Sequence, residues 1–551
     1  MARSGAMSSA IMASGTLVSR ILGFVKTILI TVAIGSLTSV ADIFQIANNL
    51  PNYIYVLVAG GVFNAVLVPQ VIKASKASAD DGADYISRLL TLAVIALAGI
   101  TLVVVACTVP IIRVMTQDWS DQQLALGVTF ALFTFPQIFF YGVYTVVGQV
   151  LNAKGAFGWY MWAPVVNNIV AIAGLLIFIR QFGSFAEAEH SLESWTSAQT
   201  LLLAGVTTLG VALQAVVLFW PLQRLGLGLR PKFGWRGIGL SQAAKLSVWT
   251  LATGVVANLA FLALTRTASI PTGFREQYLE MDPPQHIAGS ASLDQAAMLY
   301  SLPHGVIGLS IATVLFNSMA AASAQGDDET LKASLSQALR YSGIATIFCT
   351  MAMIVFAGPL GMLFSGGVPE SGAVIGQVFA VIAIGAPFMT TAFMLGRLFY
   401  SREDARTPFM VQLAVSILTV AAAVIISQTM PPHLVVFAVA ACYAGQNILM
   451  TLLYHVIAVR TIGDYRTAEV IDTHIRAIAA ALVTAVAATV VLYAMGGWDP
   501  EGWPWSSQLS AIGTLAIGGL VSAVIYLFML KVFKLKELPE LMAPLTARLR
   551  R

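Results

Sequence analysis

The feature that most constrains this chain is a succession of about fourteen apolar runs, most of them longer than twenty residues, joined by short polar loops. A helix of about twenty apolar residues spans the hydrocarbon core of a bilayer. The runs fall near 7–34, 42–73, 88–116, 123–151, 158–180, 199–222, 240–269, 292–323, 333–364, 371–400, 407–429, 433–459, 474–496 and 508–533. Hydrophobic residues make up 58% of the chain and charged residues only 10%, with a mean hydropathy of +0.82. Soluble domains carry roughly 25% charged residues. The expected fold class is therefore all-α, a polytopic membrane protein of about 14 transmembrane helices. Runs longer than twenty residues predict tilted or bent helices.

Lysine and arginine set the expected orientation, because they concentrate in cytoplasmic loops. One alternating set of loops holds Lys73, Lys76 and Arg88; Lys154; Arg224, Arg230, Lys232 and Arg236; Lys332; Arg402 and Arg406; and Arg460, Arg466 and Arg476. The tail adds Lys531, Lys534, Lys536, Arg548, Arg550 and Arg551. The opposite loops carry only Arg113, Arg180, Arg266 and Arg275, beside acids and tryptophans such as Glu187, Trp195, Asp499 and Trp503. Both termini are expected to be cytoplasmic. The first run carries Arg20 and Lys26 inside it, unlike the short uncharged core of a signal peptide, so it is expected to be a retained membrane helix.

The net charge of +4 reflects this topology bias, and no nucleic-acid partner is expected. No loop is long enough for a soluble catalytic module. No phosphate-binding glycine loop or kinase signature appears, and no metal spacing. Cys107, Cys349 and Cys442 each lie in an apolar run and are expected to be buried free thiols. Among the scattered histidines only His304, after Pro303 at a helix start, draws attention, and a polar helix-end residue explains it.

The chain repeats itself weakly at a spacing of about 250 residues. Leu50-Pro51 opens a run that reaches Phe63-Asn64 and then a loop with Asp80 and Asp81. Leu302-Pro303 opens another that reaches Phe316-Asn317 and then a loop with Asp327 and Asp328. Pro136 and Gly148–Asn152 likewise echo Pro387 and Gly396–Tyr400. Six helices separate equivalent points, which implies two parallel lobes related by an axis along the membrane normal. The expected division is an N-terminal six-helix lobe at 1–230, a second at 231–465, and two extra helices with a basic tail at 466–551, the lobes flanking a central cavity.

Ionisable groups at membrane depth cost about 2.5–3.5 kcal/mol on insertion scales and usually face a cavity. Arg20 and Lys26 lie about 9 Å apart along the first helix and about 120° apart around it. Gly15, Ser19 and Gly23, at four-residue spacing, allow close helix contact or bending. The second helix is rich in polar residues, among them Asp42, Gln45, Asn48, Asn49, Asn52, Tyr53 and Tyr55. Gln45, Asn49 and Asn52 form one stripe. Such a stripe serves either as glue between helices or as the lining of a wet cavity; the cations on the neighbouring helix favour the lining. Pro51 frees backbone groups that need local partners and predicts a bend. A cationic cavity with amide neighbours suits an anionic, sugar-bearing ligand. No nucleophile–base pair accompanies it, so no catalytic residue is assigned and the chain is not expected to be an enzyme.

Taken together, certain motifs make the chain resemble the MurJ/MviN family, the lipid II flippases of peptidoglycan synthesis. They are Ser19-Arg20-Ile21-Leu22-Gly23-Phe24; Asp42, Leu50-Pro51-Asn52, Gly61 and Val68-Pro69; Leu151-Asn152, Phe157, Ala163-Pro164 and Asn167; Pro303 with Gly305-Val306; and Phe399–Pro408. The resemblance covers the first twelve helices. It implies two six-helix lobes that alternate between inward-open and outward-open states, and location in the bacterial inner membrane. The cargo would be lipid II, an undecaprenyl-diphosphate glycolipid, moved from the cytoplasmic to the outer leaflet. The last two helices would form a groove for the lipid tail. The family's first cavity arginine falls on Arg20 and its second on Lys26. Its helix 2 arginine falls near Tyr55 and its helix 8 arginine near Met298, so both of those charges are absent, and Gly60 stands where relatives have an acid. A divergent actinobacterial-type branch, a shifted role for Arg266, or a different lipid-linked cargo each accommodates this.

The expected substrate-binding residues are thus Arg20, Lys26, Gln45, Asn49, Asn52 and Tyr55, with Gly23, Asp42, Pro51, Gly61 and Pro303 as structural or gating positions. No cofactor or metal is expected. Dependence on the membrane potential or on a coupling cation stays open; the sodium site that the resemblance implies for some relatives is not placed, and Asn258 and Asn447 are loose candidates for it. Membrane lipids and cell-wall synthesis proteins are the other expected partners. The rival functions are flipping of a teichoic acid or capsule precursor, multidrug antiport, and a non-transporting scaffold.

Overall fold

The computed structural model describes residues 2–57, 71–76, 80–188, 190–234 and 240–539, with side chains in the helices Ala2–Ile34 and Leu240–Ala268 from residues 14 and 248 onward. Gly61, Asn64 and Val68-Pro69 lie outside these residues. Every regular element among the described residues is helical. Among the described residues, thirteen helices are long and apolar enough to cross a membrane. The remaining expected run is described as a helix at Ser39–Tyr55 and helical residues 71–76. Large apolar side chains such as Leu102, Val314, Leu482, Val486 and Leu520 stand exposed on these helices. Contiguous apolar surface of that kind is stable against lipid, not water.

The chain forms two compact units, Met1–Gln277 and Tyr278–Arg551. The first contains α1 (Ala2–Ile34), α2 (Ser39–Tyr55), α3 (Ala83–Ala106), α4 (Thr108–Met115), α5 (Asp121–Thr134), α6 (Gln137–Ala153), α7 (Phe157–Phe182), α8 (Val206–Val216), α9 (Phe219–Arg224), α10 (Leu240–Ala268) and α11 (Ile270–Leu279). The boundary thus falls in the last turn of α11, about 45 residues beyond the lobe limit that the repeat suggested. Its cause is the set of polar contacts that bind α11 to α2 and α5, set out below.

Punctuation of these helices follows local chemistry. The Thr38 hydroxyl accepts from the Ala41 amide and caps α2, and Ser120 and Gln123 form a capping box at α5. The expected run at 88–116 divides at Cys107 into α3 and α4, because Pro110 cannot donate to the carbonyl four residues back. The same break explains Cys107: it is exposed rather than buried, while Cys349 and Cys442 are half-buried. Pro271 similarly opens α11 after α10 ends at Ala268.

Two prolines sit inside membrane helices. Pro51 in α2 leaves the Ala47 carbonyl without its helical donor, and the buried Thr134 hydroxyl of α5 donates to that oxygen at 2.7 Å. Pro164 in α7 does the same to Tyr160, whose carbonyl accepts from the Tyr144 hydroxyl of α6 at 3.1 Å. In a medium without water such freed carbonyls need partners from neighbouring helices.

The second unit contains α12 (Ser290–Tyr300), α13 (Leu309–Gln325), α14 (Asp328–Val355), α15 (Pro369–Ala383), α16 (Ala386–Ser401), α17 (Arg406–Thr429), α18 (Pro432–Ile462), α19 (Thr467–Ala494) and α20 (Gln508–Val532). The last two, the additional helices, pack against α14. Gly343 lets the His474 ring approach, Gly518 accommodates Phe356, and the Tyr526 hydroxyl donates to the Ile344 carbonyl at 2.9 Å. At one end Arg340 pairs with the buried Glu537 at 2.6 Å and with Glu469 at 3.6 Å, and Thr473 donates to Glu537 at 3.0 Å.

The weak repeat has a structural counterpart in each unit. Lys154, two residues past the Gly148–Asn152 motif, pairs with Asp81 at 2.7 Å. Arg402, two residues past the Gly396–Tyr400 motif, pairs with Asp328 at 3.3 Å. The preceding acids also correspond: Asp80 accepts from the amides of Gly82 and Asp84, and Asp327 accepts from that of Thr330. These bonds to Thr330 hold the Asp327 carboxyl below its ordinary range.

Candidate functional site

The small-residue stripe of α1 faces α7. A Cβ added at Gly15 would stand 2.7 Å from the Trp162 ring and 3.1 Å from the Met161 carbonyl. The buried Asn168 amide donates to the Ser19 carbonyl at 2.8 Å, and Gly23 lies over the same amide. Contact through these small residues fixes which way the rest of α1 points. Arg20, one position off the stripe, is exposed and makes no hydrogen bond or ion pair with the described residues. Lys26 is half-buried.

Four residues, 35–38, join α1 to α2, so α2 returns from the same end. At about 1.5 Å per residue, Arg20 lies about 21 Å from the end of α1 and Asn52 about 20 Å from the start of α2. Lys26, at about 12 Å, falls between the levels of Gln45 and Asn49. The cations and the amide stripe therefore match in depth, well inside a hydrocarbon core of about 30 Å. Asn52 is exposed, while Gln45 and Asn49 are half-buried. Tyr53 packs edge-on against Phe261 of α10.

Tyr55 is placed differently. It is only 6% exposed and lies in the cluster formed by Val71, Leu97 and Val147, with its ring 6.3 Å from that of Tyr141. The structure does not bring it to the face that carries Asn52. Pro51, also buried, carries the Ala47–Thr134 link already described.

Asp42 begins the polar stripe and is fully buried. Its carboxylate accepts from the Arg275 guanidinium at 2.6 Å and from the Thr272 hydroxyl at 3.1 Å. Arg275, itself 3% exposed at its side chain, also donates to the Leu37 carbonyl at 2.7 Å. Ser39 donates to Glu276 at 3.1 Å, Gln123 to the Thr272 carbonyl at 2.8 Å, and the Trp119 indole to the Ser269 carbonyl at 3.0 Å. The start of α11 is thus tied to the α1–α2 turn and to the start of α5. Arg266 on α10 donates to the Val114 carbonyl at this same end. Sequence reasoning singled out Asp42 but not its partner. The usable signal was that Arg275 is one of very few cations on the acid- and tryptophan-rich side.

In the second unit Pro303 is half-buried between α12 and a wide helical turn, His304–Gly308. Such π-type turns often mark functional positions in helices. His304 contacts the Thr390 hydroxyl at 3.3 Å and the Phe393 ring edge-on. The Asn447 amide donates to the Tyr300 hydroxyl at 2.9 Å, and that of Asn258 to the Gly254 carbonyl at 3.4 Å. No cluster of histidine, cysteine and carboxylate side chains suited to a metal occurs among the described residues.

Comparison with known proteins gives one family. Residues 31–513 match the lipid II flippase MurJ family, a stretch that begins just after Arg20 and Lys26. A probable lipid II flippase MurJ from Rhizobium meliloti is 28% identical over 406 residues, covering 71% of this chain and 70% of the relative. The lipid II flippase MurJ of Burkholderia cenocepacia is 27% identical over 421 residues, covering 73% of this chain and 75% of that protein. Among solved structures, a lipid II flippase MurJ in an inward closed conformation superposes with a TM-score of 0.69 at 18% identity, covering 95% of this chain and 98% of the other. An inward-facing multidrug resistance transporter of the MATE family superposes with a TM-score of 0.58 at 14% identity, covering 81% of this chain and 99% of the other. At these identities the two structures establish a shared fold.

Proposed function

The chain belongs to the lipid II flippase MurJ family, and from that premise we propose how it moves its substrate. It is a multi-pass membrane transporter of lipid II, the lipid-linked precursor of peptidoglycan. In our reading it works by alternating access, with no chemical step and no catalytic residue. It resides in the bacterial inner membrane with both termini in the cytoplasm, the side on which the basic loops cluster.

The observation that carries the site assignment is Arg20: an exposed guanidinium with no hydrogen-bond or ion-pair partner among the described residues, about 21 Å down α1 and level with the exposed Asn52. A charge left so deep in a membrane helix calls for an anion or water. We assign the diphosphate of the headgroup to Arg20 and Lys26. Arg20 offers a planar fork to the phosphate oxygens and Lys26 a point charge. Gln45, Asn49 and Asn52 offer amides to the sugar and peptide groups. Tyr55 supports α2 from behind. The exposed apolar faces of α19 and α20 are the proposed path for the lipid tail, which then need never leave the bilayer.

The double change Arg20→Ala and Lys26→Ala tests this assignment. It should abolish delivery of lipid II to the outer leaflet while membrane insertion and detergent stability stay normal. Undiminished flipping by an inserted double variant would refute the assignment. The lack of charge near Tyr55 and Met298, where the family resemblance implies arginines, favours one second reading: a teichoic acid or capsule precursor as cargo. The same assay with those lipid-linked glycans separates the two.

A further inference from the structure

On the basic-loop side of the first unit, the segment after α9 folds back along the start of α3. The Arg230 amide donates to the Ser87 hydroxyl at 3.3 Å and the Lys232 amide to the Thr91 hydroxyl at 2.9 Å. Asp84 holds both Lys232, at 2.7 Å, and Arg88, at 2.8 Å, and Arg88 also donates to the Gly234 carbonyl at 3.1 Å. Under this strap lies a cavity of about 620 Å³, within the range of about 300–1,000 Å³ common for ligand pockets. Its walls are apolar: Leu90, Ile95, Phe219, Leu222, Leu229 and Phe233 among them. It has no part in the Arg20 site.

Arg230 lines the cavity, and Arg224 follows the lining residue Gln223 directly in the chain. Asp84 is spent on Arg88 and Lys232, which leaves Arg224 and Arg230 exposed and without an ion-pair partner among the described residues. Arg224 lies 3.6 Å over the Trp220 ring, which packs edge-on against Trp159. Exposed tryptophans beside arginines mark the depth of lipid headgroups. An apolar slot lined at one side by Arg230, with Arg224 beside the lining residue Gln223 and stacked on an exposed tryptophan, is complementary to one kind of molecule. We propose that this pocket binds an anionic phospholipid, an acyl chain in the slot and the phosphate at Arg224 and Arg230. Bound there, the lipid clamps the strap that leads from α9 toward α10.

Native mass spectrometry of the full chain in detergent tests this without reference to transport or orientation, so it stands or falls separately from the flippase reading. The probes are phosphatidylglycerol and phosphatidylcholine with identical acyl chains. The intact chain should retain phosphatidylglycerol roughly thirtyfold better, the order expected for two basic side chains at a headgroup. Arg224→Glu with Arg230→Glu should erase the preference, whereas Lys332→Glu with Arg402→Glu in the other unit should not. Ile95→Trp, which fills the slot and leaves the charges intact, should reduce retention of both lipids and decides the matter if the charge-reversed chain fails to fold. Equal retention of the two lipids by the intact chain, or retention unaltered by Ile95→Trp, would overturn the proposal.

Discussion

Pro51 and Pro164 each remove a backbone donor from a membrane helix, and each freed carbonyl is met by a hydroxyl from a neighbouring helix. The consequence is testable at Thr134. Thr134→Val should destabilise the protein by about 1–3 kcal/mol, the cost of a buried unsatisfied acceptor. Pro51→Ala restores an amide to the Ala47 carbonyl, so in the Thr134→Val background it should recover much of the loss. Thermal unfolding in detergent measures both steps of the cycle. The buried Asp42–Arg275 pair makes a larger effect. Arg275→Ala strands a buried carboxylate and should cost about 3–5 kcal/mol, while the joint change Asp42→Asn with Arg275→Met should cost less. The same unfolding assay checks the order. Sequence reading found Asp42 and Pro51 because a carboxylate and an imino acid stand out in apolar runs. It missed their partners, Arg275 and Thr134, because they lie 233 and 83 positions away and only the fold brings them close.

At the scale of elements, apolar length and proline punctuation made the helices legible. The small-residue stripe of α1 gave its packing face, since Gly15, Ser19 and Gly23 meet α7. The matched pairs Lys154–Asp81 and Arg402–Asp328 give the weak sequence repeat physical content in each unit. These pairs are partly exposed, and pairs of that kind contribute about 0–1 kcal/mol. Their removal should therefore shift the stability of the folded chain little. Swapping the charges, with Lys154→Asp and Asp81→Lys together, should retain flipping in cells. Loss of flipping after the swap would show that the pair does more than join two loops. What the sequence left unread was α11: its ten residues read as a loop after the seventh run, because polar residues bound to α2 and α5 look the same as solvated ones in one dimension.

At the scale of the whole molecule, the positive charge that Arg20 and Lys26 bring to membrane depth implies sensitivity to voltage. A charge that crosses the full field gains about 2.3 kcal/mol per 100 mV, and the emptied site carries its charge back toward a negative interior. Collapsing the membrane potential at constant pH should slow flipping in reconstituted vesicles. Lys26→Gln should lessen that dependence. A rate indifferent to potential would assign the energy to another source. The most direct measurement of the central claim is made in a bacterium depleted of its own lipid II flippase, with this chain supplied in its place. The account predicts that lipid II reappears in the outer leaflet and that Arg20→Ala with Lys26→Ala prevents it. An inserted, stable chain that leaves lipid II trapped in the cytoplasmic leaflet would contradict it.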